Sequence, residues 1–340
     1  MKTLSLITYF ILVLSVLLSC NASPLGLSSL KSFVNNKVKS ISIPKPIKNY
    51  INEKEDEKRD NRNYYNEINI ERDINFNLDR TLDVYYDKYN VISKQDLKPV
   101  YIFIYGGSWY SGSKVKFTKF GSLLERNGYV AVLPNYVLFP HGGFDDMVDD
   151  IYRAIQWTFS NIQRYGGDPN RISIAAYSAG AHFTTLTLFK SLLGYPNNDI
   201  NLSRFPMLEK VVLLNGPYDF DDYASLLNYL STDVDNSIIE RLASRLFQSD
   251  NVSPTDLFKF FPNNSLSSLG AKKFVFFYTS NDTQVKESSA LHLIDQMKRV
   301  CSNANISYIK KEGYEHTTLT RGVRAGSAEE ENVFMSLIRL

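Results

Sequence analysis

Cysteine is almost missing from this chain: Cys20 and Cys301 are the only two among 340 residues. Two cysteines build neither a disulfide framework nor a cysteine-rich zinc site. Histidine is scarce too. His141, His182, His292 and His316 are the whole set, and no His-Glu-x-x-His pair occurs, which argues against a metal centre. A surplus of charge is also lacking. A net charge of +2 implies no nucleic-acid partner. The one glycine-rich loop, Gly106-Gly107-Ser108-Trp109-Tyr110-Ser111-Gly112-Ser113-Lys114, is not a nucleotide loop. A P-loop needs Gly-Lys-Ser/Thr where this chain has Gly-Ser-Lys, and the G-x-G-x-x-G spacing of a dinucleotide site is absent. The sequence therefore calls for no metal and no cofactor.

What is present is apolar. Hydrophobic residues make up 44% of the chain and aromatics 13%, enough for one large α/β domain. One long apolar run, Leu4 to Leu18, follows Lys2 and precedes Ser19-Cys20-Asn21-Ala22-Ser23-Pro24. Residues 1–22 read as a secretory signal cut after Ala22, or as a short uncleaved anchor. Cleavage places the chain in the secretory pathway, lumenal or secreted. Retention, with Lys31 and Lys37 after the run, turns it toward the cytosol. Sequons at Asn21, Asn201, Asn251, Asn263, Asn281 and Asn305 add little in so asparagine-rich a chain. Residues 23–75 read as a polar extension. Leu27, Leu30, Val34, Val38 and Ile41 recur at helical spacing, which suits packing on the main domain or lying on a membrane surface. Asn52 to Arg72 reads as a solvated linker or surface helix.

From residue 76 to 340, strand and helix alternate. Leu82–Tyr86, Val100–Tyr105, Tyr129–Leu133, Ile172–Ala176, Lys210–Leu214, Lys273–Tyr278 and Ile306–Ile309 are strands by their compact apolar runs. Lys119–Asn127, Phe144–Ile162, Ala181–Leu193, Ser288–Val300 and Glu329–Leu340 are helices by their spacing. Residues 218–268 break the rhythm with helical stretches (Tyr223–Leu230, Ile238–Phe247, Leu257–Phe261), an insertion near the site. The alternation predicts a mostly parallel, doubly wound sheet with helices on both faces. Chemistry in such sheets sits at the carboxyl ends of the strands.

One strand end carries a serine. Ala176-Tyr177-Ser178-Ala179-Gly180 has the form of G-x-S-x-G with alanine in the first glycine place. A strand turning at once into a helix crowds its own backbone, so small residues must flank the serine. The N–H of Ala179 then lies at a helix start, where donors are unpaired and negative charge is favoured. Gly106 and Gly107, after another strand, let backbone N–H groups approach the same oxygen. Asp282 follows the strand Phe274–Tyr278, and His316 follows the last one. Ser, Asp, His is the chain order this architecture requires. A histidine can take the serine proton, and a carboxylate can hold the imidazole in its working tautomer. His182, four residues past Ser178, should point away from the serine's exposed face into packing. Asp219, after the preceding strand, is the rival acid, and Asp282 is preferred.

These residues resemble the α/β-hydrolase superfamily in its carboxylesterase branch, over roughly residues 80 to 340. Within it the chain is most similar to isoprenylcysteine α-carbonyl methylesterases, through Tyr105-Gly106-Gly107-Ser108-Trp109, Asn135-Tyr136, Phe139-Pro140, Gly143 to Asp150, Tyr165 to Ile172 and Tyr177 to His182. The resemblance implies the α/β-hydrolase fold, with Ser178 as nucleophile, Asp282 as acid, His316 as base, and the amides of Gly106, Gly107 and Ala179 as an oxyanion hole. It implies an ester substrate, a small molecule or a lipidated peptide such as a prenylcysteine methyl ester; membrane association through the N-terminus is expected from the apolar run itself. Arylformamidases share much of the pattern, so an amide substrate stays open, as does a non-catalytic interaction domain on the same fold. Tyr105 stands where many esterases carry histidine, and Ser108 where a third glycine can stand. Neither change removes a backbone donor.

Overall fold

The computed structural model describes residues 45–89, 96–220 and 252–340. The apolar run with its cut site, the stripe Leu27–Ile41 and most of the expected insertion (221–251) lie outside the described residues. Helix α1 (Lys45–Asn66) leads into strand β1 (Ile70–Asn77), β2 (Arg80–Tyr85), β3 (Lys98–Ile104), α2 (Thr118–Arg126), β4 (Val130–Pro134), α3 (Phe144–Asn161), β5 (Gly167–Tyr177) and α4 (Ala179–Leu193). A two-residue hairpin, β6 (Pro196–Asn197) with β7 (Ile200–Asn201), precedes β8 (Lys210–Leu214), α5 (Asp256–Lys259), β9 (Phe274–Thr279), α6 (Glu287–Val300), β10 (Ile306–Lys311), α7 (Thr318–Ala325) and α8 (Ala328–Arg339). Among the described residues no helix is long and apolar enough to cross a membrane.

Eight strands form one sheet in the order β1-β2-β4-β3-β5-β8-β9-β10. The β1–β2 and β2–β4 pairs are antiparallel, and every later pair is parallel. The parallel centre follows from composition: Val100–Ile104, β4, Ile172–Tyr177, Val211–Leu214 and β9 are buried at every position, as strands covered on both faces must be. Phe103 stacks on Phe120 of α2 at 4.3 Å and meets Phe334 of α8 edge-on. Alternation turns Ile102 and Ile104 to the opposite layer, where α3 packs on α4.

Two features depart from the sequence reading. Strand β1 carries the sheet back to Ile70, so the expected boundary at residues 75 and 76 falls inside a strand. Helix α7 stands where no element was expected. Asp60 of α1, buried, hydrogen-bonds with buried Arg324 of α7, and Asp56 pairs with Arg321 at 3.4 Å. Burial raises the Asp60 carboxyl although Arg324 opposes the shift. Buried Lys114 sits 2.6 Å from carboxylate oxygens of both Asp73 and Asp83. Its backbone N–H donates to Asn135 Oδ1 at 2.8 Å. Lys114 thus ties the glycine-rich loop to the β1–β2 edge.

Candidate active site

Strand β5 is the longest in the sheet and sits between β3 and β8. It ends at Tyr177, and α4 begins at Ala179, so Ser178 alone makes the turn. Its φ is 52° and ψ −122°, a conformation that costs a non-glycine residue about 1–3 kcal/mol. The sheet holds it there: the Ser178 N–H donates to Leu214 O at 2.8 Å. The small neighbours are required. A Cβ on Gly106 would lie 2.6 Å from Tyr177 O and 2.8 Å from Ser178 Cβ; one on Gly180 would lie 2.3 Å from Tyr105 O. The loop after β3 and the start of α4 are therefore in backbone contact. The N–H groups of Gly106, Gly107 and Ala179 donate to no acceptor among the described residues. At the first residue of α4 this is what helix geometry dictates.

The structure brings Ser178, His316 and Asp282 into one line of hydrogen bonds. Ser178 Oγ lies 2.9 Å from His316 Nε2, and His316 Nδ1 lies 2.7 Å from Asp282 Oδ2. A carboxylate only accepts, so Nδ1 donates to it and Nε2 is left to accept the serine proton. All three side chains are nearly closed off from solvent. The loops that bring them are laced together: Asn281 N–H donates to Tyr314 O at 2.9 Å and Gly313 N–H to Ser280 Oγ at 2.9 Å. Asp282 Oδ1 accepts the N–H groups of Gln284 at 2.8 Å and Val285 at 2.9 Å. Burial works against charge on Asp282, but the His316 hydrogen bond and charge, with those two amides, outweigh it. They hold the carboxyl below the usual carboxylate range.

Two partners of this line escaped the sequence reading. Asn215, buried at the end of β8, donates from Nδ2 to Asp282 Oδ2 at 2.8 Å and to Thr279 Oγ1 at 2.7 Å. Tyr177, beside the serine, donates its hydroxyl to His316 O at 3.2 Å. The signal for both was position alone, since each ends a strand at the carboxyl edge of the sheet. The rival acid is elsewhere engaged: Asp219 Oδ2 lies 2.6 Å from His292 Nδ1 on α6. His182 is fully buried, its ring among Trp109, Phe144, Phe183 and Phe220, as expected of a packing role. Tyr105 is buried between the rings of Phe117 and Tyr136, with its hydroxyl 3.2 Å from Asn135 Oδ1. It is part of the scaffold beneath the loop. Among the described residues no cluster of His, Cys, Asp or Glu is placed to hold a metal ion.

Known proteins arrange themselves around this geometry. The BD-FAE family model matches residues 82–297, more than half of the chain. The chain belongs to the BD-FAE family. The family match takes in both loop glycines, Ser178, Ala179 and Asp282, and His316 lies beyond its end. Among curated proteins the chain is 27% identical over 246 residues to "Probable isoprenylcysteine alpha-carbonyl methylesterase ICMEL1" of Arabidopsis thaliana, covering 70% of this chain and 48% of that one. It is 24% identical over 231 residues to esterase LipC of Mycobacterium tuberculosis, covering 67% and 55%. The chain thus spans about half the length of these relatives. Esterase B from Lactobacillus rhamnosis superposes with a TM-score of 0.61 at 16% identity, over 86% of this chain and 92% of that one. The fold of this BD-FAE chain is the α/β-hydrolase fold.

Proposed function

We propose that the chain is a serine hydrolase of carboxylic esters. The observation that carries this reading is the unbroken line from Ser178 Oγ through His316 to Asp282 Oδ2. His316 Nε2 takes the serine proton as Oγ attacks the ester carbonyl carbon. The carbonyl π pair moves onto oxygen, and that oxyanion faces the amides of Gly106, Gly107 and Ala179. The imidazolium formed is stabilised by the Asp282 carboxylate, which stays ionised because its carboxyl is held low. His316 then gives its proton to the alkoxy oxygen as the C–O bond breaks, and the alcohol leaves an acyl-serine. Water, deprotonated by the same imidazole, releases the acid and restores the serine.

The substrate class within the esters is a methyl ester of a prenylated cysteine. Its support is the name carried by the plant relatives, at 27–41% identity. An apolar, lipidated substrate also accords with a chain attached to a membrane through its N-terminal run and routed through the secretory pathway. Replacing Ser178 with Ala is expected to abolish hydrolysis of p-nitrophenyl acetate and labelling by a fluorophosphonate. Undiminished turnover in that variant overturns the reading. A panel of prenylcysteine methyl esters, short acyl esters and N-formyl aromatic amines then separates the substrate classes by kcat/KM. Preference for the formamides would replace the ester assignment with an amide one.

A further inference from the structure

His182 is more than filler. An indole nitrogen only donates, so the 3.0 Å contact from Trp109 Nε1 makes His182 Nδ1 an acceptor. The proton then sits on Nε2, which donates to Val252 O at 2.7 Å. Both ring nitrogens are spoken for, in one tautomer, in a fully buried aromatic box. The ring is on the helix that Ser178 starts, and the His182 N–H donates to Ser178 O at 3.1 Å. Trp109, at the other end of the bond, is in the loop that carries Gly106 and Gly107. That loop is under backbone strain: Ser108 has φ 51°, Trp109 φ 68° and Gly107 φ 150°. Strained backbone persists only where its surroundings over-determine it. Backbone bonds do part of this, with Tyr110 and Ser111 N–H groups on Gly107 O and the Phe139 N–H on Trp109 O. The indole–imidazole bond is what ties the loop's side chain to the helix of the nucleophile.

We propose that His182 is a positioning residue for the oxyanion hole: its Nδ1 lone pair holds the Trp109 indole and so fixes the Gly106 and Gly107 amides relative to Ser178. This rests on the ester-hydrolase reading. It also gives the ring's neutral state a purpose, since a protonated Nδ1 has no lone pair to offer. A group that positions donors for the transition state acts on kcat and leaves ground-state binding alone.

The test uses the full chain and p-nitrophenyl acetate, with active sites counted by fluorophosphonate labelling. Trp109→Phe keeps an aromatic ring but removes the N–H together with the pyrrole half of the indole, so its loss is read against the His182 variants, which leave the indole in place. His182→Asn keeps an acceptor near the place of Nδ1. His182→Gln keeps a donor near the place of Nε2, and His182→Phe keeps neither. Trp109→Phe, His182→Gln and His182→Phe are each expected to lower kcat about 10- to 100-fold with KM within about twofold. His182→Asn should recover most of kcat, and in the Trp109→Phe background it should gain nothing over His182→Phe. Wild-type kcat in Trp109→Phe overturns the proposal. So does rescue by Gln in place of Asn, which would assign the effect to the Val252 bond. If His182→Phe does not fold, Trp109→Phe and the Asn/Gln pair still decide. Ser178→Ala runs alongside: turnover retained there sinks the hydrolase reading itself, whereas an inert Ser178→Ala with unaffected Trp109→Phe sinks only the role of His182.

Discussion

Two histidine–carboxylate pairs occur among the described residues, and by distance they are twins. His316 and Asp282 meet at 2.7 Å, His292 and Asp219 at 2.6 Å. Their surroundings differ. The first pair is 4% and 2% exposed, and the second nitrogen of its imidazole reaches Ser178. In the second pair Asp219 is 7% exposed, but His292 is 60% exposed on α6, so water reaches the imidazole. A charged hydrogen bond in water is screened and replaceable, so such a pair contributes little. The same bond in a dry site fixes a tautomer and stabilises an imidazolium as it forms. Geometry of the pair does not confer chemistry; what lies on the far nitrogen, and whether water can enter, does.

The contrast can be broken most directly at the acids. Asp282→Asn presents an amide to His316 Nδ1 and disfavours the tautomer that accepts from serine. Its kcat on p-nitrophenyl acetate is expected to fall about 10⁴-fold. Equal losses in Asp282→Asn and Asp219→Asn would erase the distinction between the pairs. A third imidazole sharpens it, for His182 has burial without a carboxylate. Burial holds its pKa down at about 4, against an ordinary 6.5. Below 6.5 the unfolded chain takes up that proton and the folded chain does not, so stability is full above this value and falls as pH drops toward 4. The loss is about 3 kcal/mol over that window. Urea unfolding should show the stability gap between wild type and His182→Asn shrinking by that amount from pH 7 to pH 4, and a constant gap would contradict it.

Asn215 adds a neutral donor to the buried acid. A hydrogen bond to a charged group is worth about 1.5–3 kcal/mol, so Asn215→Leu should lower kcat roughly 10- to 100-fold, and Asn215→Asp more, because it sets a like charge beside Asp282. A steady-state assay at neutral pH measures both. The smallest effect belongs to the pair whose imidazole is exposed. His292→Ala should leave kcat within about twofold and change unfolding free energy by no more than about 0.5 kcal/mol.

Much of this was legible in the sequence, and what was not shares a cause. The central strands declare themselves because strands covered on both faces are apolar throughout, and β8 is found at the residues expected, Lys210–Leu214. The expected helix Ser288–Val300 is found at Glu287–Val300. That Ser178, Asp282 and His316 come together was readable from their places after strands. Strand β1 was not, since one face is wet: Ile70, Ile74 and Phe76 alternate with Glu71, Asn75 and Asn77, and the stretch looks like polar linker. Helix α7 offers only Leu319 and Val323 as buried apolar residues. Asn215 and the Trp109–His182 bond depend on which strand lies beside which and where a side chain turns. Composition and spacing carry neither.

The pairing of Asp60 with Arg324 sets a limit on trimming. α7 starts two residues past His316, so a guanidinium held in that helix is fixed close along the chain to the proposed base. Cutting the chain back to Ile70 would discard the carboxylate and strand the cation in a dry pocket, and orphaning one half of a buried pair typically costs about 3–5 kcal/mol. Expression designs should therefore begin ahead of α1, because the stretch that looks most dispensable on paper buttresses the helix that follows His316.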